Sequence, residues 1–158
     1  MRIRARQDSD DETVGRFLAD RHSLRVARLG VLERPLDHPA VLAESDAGEL
    51  AGVLTYVVSG RECEILTLHA ARQWGGVGTA LVEALERLAA DQGCRRLWVL
   101  TTNDNVDALR FYQRRGFRLA ALNPQAVDDA RATLKPEIPV VGAYGIPLRD
   151  ELVLDKRL

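Results

Sequence analysis

Aromatic residues make up only 5% of the 158 residues, and there are just two cysteines and one methionine. Cys63 and Cys94 lie far apart and belong to no CxxC pair. A disulfide framework or cysteine metal site is therefore not expected, and a reducing, cytoplasmic setting is the default. His22, His38 and His69 show no ligand spacing, so no metal is expected either. Lysine is almost missing: Lys135 and Lys156 stand alone among many arginines. The formal net charge of −1 leaves no electrostatic footprint for nucleic acid. No apolar run nears the ~18 residues that a membrane-spanning helix needs, and "MRIRARQDSDDE" lacks the apolar centre of a secretory signal. Neither a membrane nor an export role is expected. What remains is an ordinary globular balance, 46% hydrophobic and 28% charged, in a chain long enough for the core of one domain.

Periodicity orders the elements. "RIRAR" alternates as a first strand, and "SDDE" at 9–12 has capping-box form, with Ser9 as N-cap. Val14, Phe17 and Leu18 then mark one helical face, which His22 would extend. "LRVARLGVLERPLDHP" is read as a weak second helix ending in a loop. "AVLAES" and "ELAGVLTYVVSG" are strands joined by a turn at Asp46–Gly48, and "RECEILTLHA" pairs with the second as an antiparallel hairpin. From Thr79, the residues Ala80, Leu81, Ala84, Leu85, Leu88 and Ala89 recur at helical spacing, with Gly93 placed to end the helix. "RRLWVLTTN" has the near-continuous apolar centre of a strand buried on both faces. "NVDALRFYQRRG" is a helix closed by Gly116, and "FRLAAL" a strand. "PQAVDDARATL" is a helix, "KPEIPVVGAYGIP" a loop and "LRDELVLDKRL" a last strand, read as a candidate dimer edge. The order implies one α/β or α+β domain over 1–158: a mixed central sheet of about six to seven strands with helices on both faces.

The stretch "QWGGVGTAL", 73–81, lies between a strand and a helix. A glycine turn in that place presents backbone N–H groups and a helix N-terminus to an anion. Two phosphate motifs fail here. No lysine makes a P-loop, and Leu81 stands where GxGxxG needs its third glycine. A third form, Q/R-x-x-G-x-G/A, fits at Gln73, Gly76 and Gly78. It is the acyl-CoA pyrophosphate loop of the GNAT superfamily of N-acetyltransferases, which this chain resembles. The resemblance gains specificity from "NVDALRFYQRRGF", 105–117, which is similar to that family's N-x-x-A-x-x-F-Y-x-x-x-G-F at every named position. It is strong over about residues 50–120; the helix, loop and strand of 121–158 are the variable part.

The resemblance implies an enzyme that takes acetyl-CoA as co-substrate and acetylates an amine, by direct attack in a ternary complex. The amine would belong to a small molecule or peptide, and a homodimer would be compatible with the family. The backbone of Gln73, Trp74, Gly75, Gly76, Val77 and Gly78, with Thr79, would hold the pyrophosphate. Exposed backbone near Leu66 and Leu68 would pair with the pantetheine amides. Tyr112 matches the tyrosine that protonates the leaving thiolate; its other reading is core packing, as for Phe111. Asn105 and Ala108 belong to the same signature beside the cofactor, and Asn105 also reads as an N-cap. For the base, Glu64 and Glu62 lie two apart, on one strand face with Leu66 and Leu68. His69 falls on the other parity unless a bulge turns it. Acceptor contacts are sought among Arg25, Arg28, Asp37, His38, Tyr144 and Arg149, with "GAYGIPLRDE" either a lid or a connector. A non-catalytic acyl-CoA sensor remains the alternative.

Overall fold

The computed structural model describes residues 1–158. Nine strands and four α-helices follow in the order β1 (Arg2–Ala5), α1 (Asp11–Ala19), β2 (Val26–Arg28), β3 (Val31–Glu33), β4 (Ala40–Glu44), β5 (Leu50–Ser59), β6 (Glu62–Ala70), α2 (Val77–Asp91), β7 (Arg96–Thr102), α3 (Val106–Arg114), β8 (Arg118–Asn123), α4 (Ala126–Thr133) and β9 (Glu151–Arg157). Seven strands make a mixed sheet in the order β1-β4-β5-β6-β7-β9-β8, and β2 and β3 pair separately. The chain divides into two compact units: Met1–Val26 with Arg34–Leu97 and Leu158, and Ala27–Glu33 with Trp98–Arg157.

In the first unit β1, β4, β5 and β6 are antiparallel neighbours. Val14 and Leu18 of α1 bury against Ala40, Leu42 and Val53 on one face of these strands. The opposite face, at Gly52, receives α2. A Cβ at Gly52 would lie 2.6 Å from Val77 Cγ1 and 3.0 Å from Leu81 Cδ1, so glycine lets the start of α2 seat directly on β5. Covered from both sides, Gly52–Tyr56 of β5 and Cys63–Thr67 of β6 are buried without interruption. α2 closes at Gly93, φ +85°, where Cys94 N–H reaches Ala89 O and Gly93 N–H reaches Ala90 O. α3 in the second unit ends the same way at Gly116.

Four expectations are corrected here. Leu24–Pro39 contains no α-helix: β2 and β3 form a hairpin whose tip, Leu29 (φ 49°) and Gly30 (φ 75°), has both residues left-handed, as a type I′ turn requires. Leucine in the first tip position hid the turn, because asparagine or aspartate usually stands there. The first helix starts later than "SDDE" suggests. Asp10, rather than Ser9, is its N-cap. The Asp10 carboxylate accepts from Gln7 N–H at 2.7 Å and from both terminal nitrogens of Arg4, which hold its pKa down near 2, Arg4 first. β7 is not sealed on both faces: Leu97, Val99 and Thr101 are buried and alternate with half-buried neighbours. β9 is internal to the sheet, and β8 is its end strand.

Gly52→Val is expected to destabilise the chain by about 1–3 kcal/mol by pushing Val77 and Leu81 off β5, read as a lower urea midpoint with an unchanged m-value.

Candidate active-site elements

The glycine turn is open. Residues 71–76 are all exposed, Trp74 at 72%. Trp74 (φ 67°) and Gly76 (φ 79°) are left-handed, which turns the chain sharply into α2. Gly76 is the N-cap and offers no side chain to the helix; the first intrahelical bond is Ala80 N–H to Gly76 O at 3.0 Å. The first turn of α2 contains no acidic residue. The N-terminal amides of a 15-residue helix, uncapped by any side chain and exposed with their partial positive charge, suit an oxyanion.

The preceding strand carries a bulge. Thr55 pairs with Thr67 and Tyr56 with Ile65, so Leu66 is an extra residue that pairs with neither. The extra residue reverses the alternation. Glu62 and Glu64 share their face with Thr67 and His69, opposite Ser59, Val57, Thr55 and Val53. Leu68 points to the α2 face with Cys63, Ile65 and Ala70. The expectation that the glutamates share a face with Leu68 is thus overturned, and His69 joins them. Glu64 is 3% exposed. Glu62 is an exposed strand end whose carboxylate meets Arg96 at 3.3 Å. Thr55 and Thr67 hydroxyls lie 2.6 Å apart, buried on that same face.

Ser23 Oγ lies 2.8 Å from His69 Nε2. Burial first, then the Arg21 charge, lowers the imidazole from 6.5 to about 4. Arg21 itself stacks on Phe17, 3.6 Å from the ring centroid. His69 is therefore a neutral imidazole at physiological pH. Ser23 and Arg21 carry no sequence signal for this role: Ser23 is 46 positions from its partner.

In the second unit Tyr112 is 4% exposed, packed edge-on between Phe111 and Phe117 with both ring centroids 5.1 Å away. Burial pushes its phenol well above the usual range, so it keeps its proton. Asn105 is the N-cap of α3, its Oδ1 accepting from Ala108 N–H at 3.1 Å. Asn103 clamps the last loop: its Oδ1 accepts from Arg149 N–H and Asp150 N–H, and its Nδ2 donates to Pro147 O. Asp104, unremarked in the sequence, is 8% exposed and accepts from Ala143 N–H at 2.9 Å. Tyr144, left-handed at φ 57°, donates to Asp107 at 2.8 Å. The 140–150 segment is thus pinned at several points as a connector. Of the other residues expected at the acceptor, Arg28 lies 3.9 Å from Glu33, and Asp37 pairs with Arg34 at 3.8 Å.

The glycine-capped start of α2, the bulge of β6 and the tyrosine of α3 all lie in a stretch that the chain shares with a known family. The chain belongs to the Acetyltransferase (GNAT) family, whose model matches residues 4–117. It is 46% identical over 114 residues to the uncharacterized protein YdhI of Bacillus subtilis (strain 168), covering 72% of this chain and 71% of that one. A Bacillus subtilis acetyltransferase solved in complex with CoA has a similar fold, with a TM-score of 0.72 at 22% identity over 99% of this chain and 98% of that one. So does a GNAT family acetyltransferase from Elizabethkingia anophelis with acetyl-CoA bound, with a TM-score of 0.71 at 18% identity over 99% and 97%. No helix is long and apolar enough to cross a membrane.

The His69 ring is expected to titrate near 4 by NMR, and Arg21→Ala to raise that value. Between 6.5 and 4 the unfolded chain binds more protons at this position than the folded one, so stability falls as pH drops through that window. His69→Gln should flatten this part of the stability profile; an equally steep profile would place the titrating group elsewhere.

Proposed function

We propose that the chain is an N-acetyltransferase, moving an acetyl group from acetyl-CoA to a primary amine by direct attack in a ternary complex. The observation that carries this reading is the open N-terminus of α2: glycine-capped, free of acidic residues in its first turn and preceded by an exposed turn. Two similar folds were solved with CoA and with acetyl-CoA, which supports the same co-substrate here. That co-substrate supplies the activated acetyl thioester. Residues 1–158 act as one acetyltransferase domain, with the core motifs in 50–120.

The backbone from Gln73 to Gly78, with Thr79, binds the pyrophosphate. Leu66, outside the β5 ladder, has backbone groups to offer the pantetheine arm and the acetyl carbonyl. Leu68 keeps its pairing with Leu54, so its share in that contact is smaller. Tyr112 holds the proton destined for the leaving sulfur. Burial keeps that phenol protonated, so the proton is present when the thiolate departs. Asn105 and Ala108 fix the first turn of the helix that carries Tyr112 and border the cofactor. The proton of the attacking amine goes to Glu64 or to neutral His69, which share one face of β6; Glu62, at the exposed end, is the weaker base. The acceptor is a small-molecule or peptide amine in the cytoplasm, and a homodimer would form at β8 rather than β9.

Calorimetry with acetyl-CoA tests the reading directly: saturable binding is expected, and no binding at high micromolar concentration would refute it. Thiol release across an amine panel then separates an enzyme from a sensor, which would bind without turnover. Tyr112→Phe is expected to lower turnover about 10²-fold or more while leaving acetyl-CoA affinity intact. Unchanged turnover would make Tyr112 a packing residue.

A further inference from the structure

Aromatic side chains are few, and the first unit holds three of them: Phe17, Tyr56 and Trp74. The fold uses two. Phe17 packs against the core with Arg21 stacked on its ring, and Tyr56 is 7% exposed. Trp74 is 72% exposed, more than any other large apolar side chain in the molecule. It stands in the glycine turn two residues before Gly76, and so within roughly 8 Å of it from Cα to Cα. Gly76 is the cap of α2, where the amides assigned to the pyrophosphate begin.

The backbone at Trp74 is left-handed at φ 67°, which strains a bulky residue and suits a glycine. A glycine there would make the same turn without strain and without an exposed ring. The form Q/R-x-x-G-x-G/A leaves position 74 unspecified, so the motif itself does not call for an aromatic. An indole so exposed adds little to the core, and its large flat face suits a planar partner. The co-substrate has one planar group. CoA divides at its diphosphate into two parts of unlike chemistry. The pantetheine arm is a chain of amides and methylenes, matched by backbone groups such as those of Leu66. The other part is a nucleotide, whose adenine is separated from the diphosphate by a single ribose. The turn has the same order: amides for the phosphates and, beside them, an exposed aromatic ring.

We propose that the Trp74 indole stacks on the adenine of acetyl-CoA, and so makes this chain select a nucleotide-bearing acyl donor over one that carries phosphopantetheine alone. The proposal rests on the reading that the start of α2 holds the pyrophosphate. It gives the ring a task that the backbone of the same turn cannot perform. Amides bind a phosphate in any acyl donor, whereas the ring tells a nucleotide from its absence. The contact is remote from the thioester, so Trp74 acts on affinity for the donor and not on the chemical step.

The test is calorimetry on the full chain with acetyl-CoA and with S-acetylphosphopantetheine, which lacks the adenosine. Trp74→Gly removes the ring and suits the left-handed backbone, so the fold is kept. It should weaken acetyl-CoA binding about tenfold and leave the affinity for S-acetylphosphopantetheine unchanged. Trp74→Phe keeps a ring and should retain most of the acetyl-CoA affinity. Acetyl-CoA should also quench tryptophan emission in the native chain, a change lost in Trp74→Phe and not produced by S-acetylphosphopantetheine. Native-like acetyl-CoA affinity in Trp74→Gly, an equal loss for both donors, or a Trp74→Phe chain as weak as Trp74→Gly would overturn the proposal. Each of these leaves the transferase reading standing. If acetyl-CoA does not bind the native chain at all, that reading falls and this one with it.

Discussion

One extra residue in β6 governs the chemistry of the first unit. Leu66 pairs with neither Tyr56 nor Thr55, and every side chain after it changes face. Without that bulge His69 would point toward α2 and Leu68 toward Ser23. With it, Glu64, Thr67 and His69 form one polar row on the face covered by α1, anchored by the Thr55–Thr67 hydroxyl pair and the Ser23–His69 contact. The same irregularity takes Leu66 out of the pairing with β5.

The rest of the unit is arranged around that strand. Gly52, opposite Ala70 on β5, lets Val77 and Leu81 approach closely, and this sets where α2 begins. Gly76 then leaves the helix start without a side-chain cap. These two glycines act differently: the first provides space, the second a left-handed turn. In the second unit the analogous work falls to polar side chains. Asn103 and Asp104 hold the 140–150 segment by its backbone amides, which keeps a turn-rich loop in one position.

Burial shifts three side chains in ways that matter. It keeps the Tyr112 phenol protonated and the His69 imidazole neutral, one physical cause acting on groups of opposite charge type. At Glu151 it raises the carboxyl, against the Leu29 N–H and Asn123 side chain that the carboxyl accepts from, and one oxygen is left without a donor. Glu151 itself lies outside the stretch that the family model covers, whereas its donor Leu29 lies within it.

Much of this was legible in the sequence, and what was not shares a physical reason. Local patterns determined the helices that carry the two motifs, because glycine at 76, 93 and 116 acts through its own backbone freedom and needs no distant partner. They also determined the β5–β6 hairpin and the family resemblance. The β2–β3 hairpin escaped because Leu29 adopts a left-handed conformation that its chemistry disfavours, one that only the folded surroundings stabilise. The face of His69 was undecidable because a bulge is a property of two paired strands, not of one. Ser23, Asp104 and Glu151 were silent for the same reason: the partners that give them meaning lie 46, 39 and 28 positions away, at His69, Ala143 and Asn123. The sequence by itself determined which residues favour turns, helices and strands. The tertiary structure alone decided which side chains were buried together, and burial is what sets their protonation.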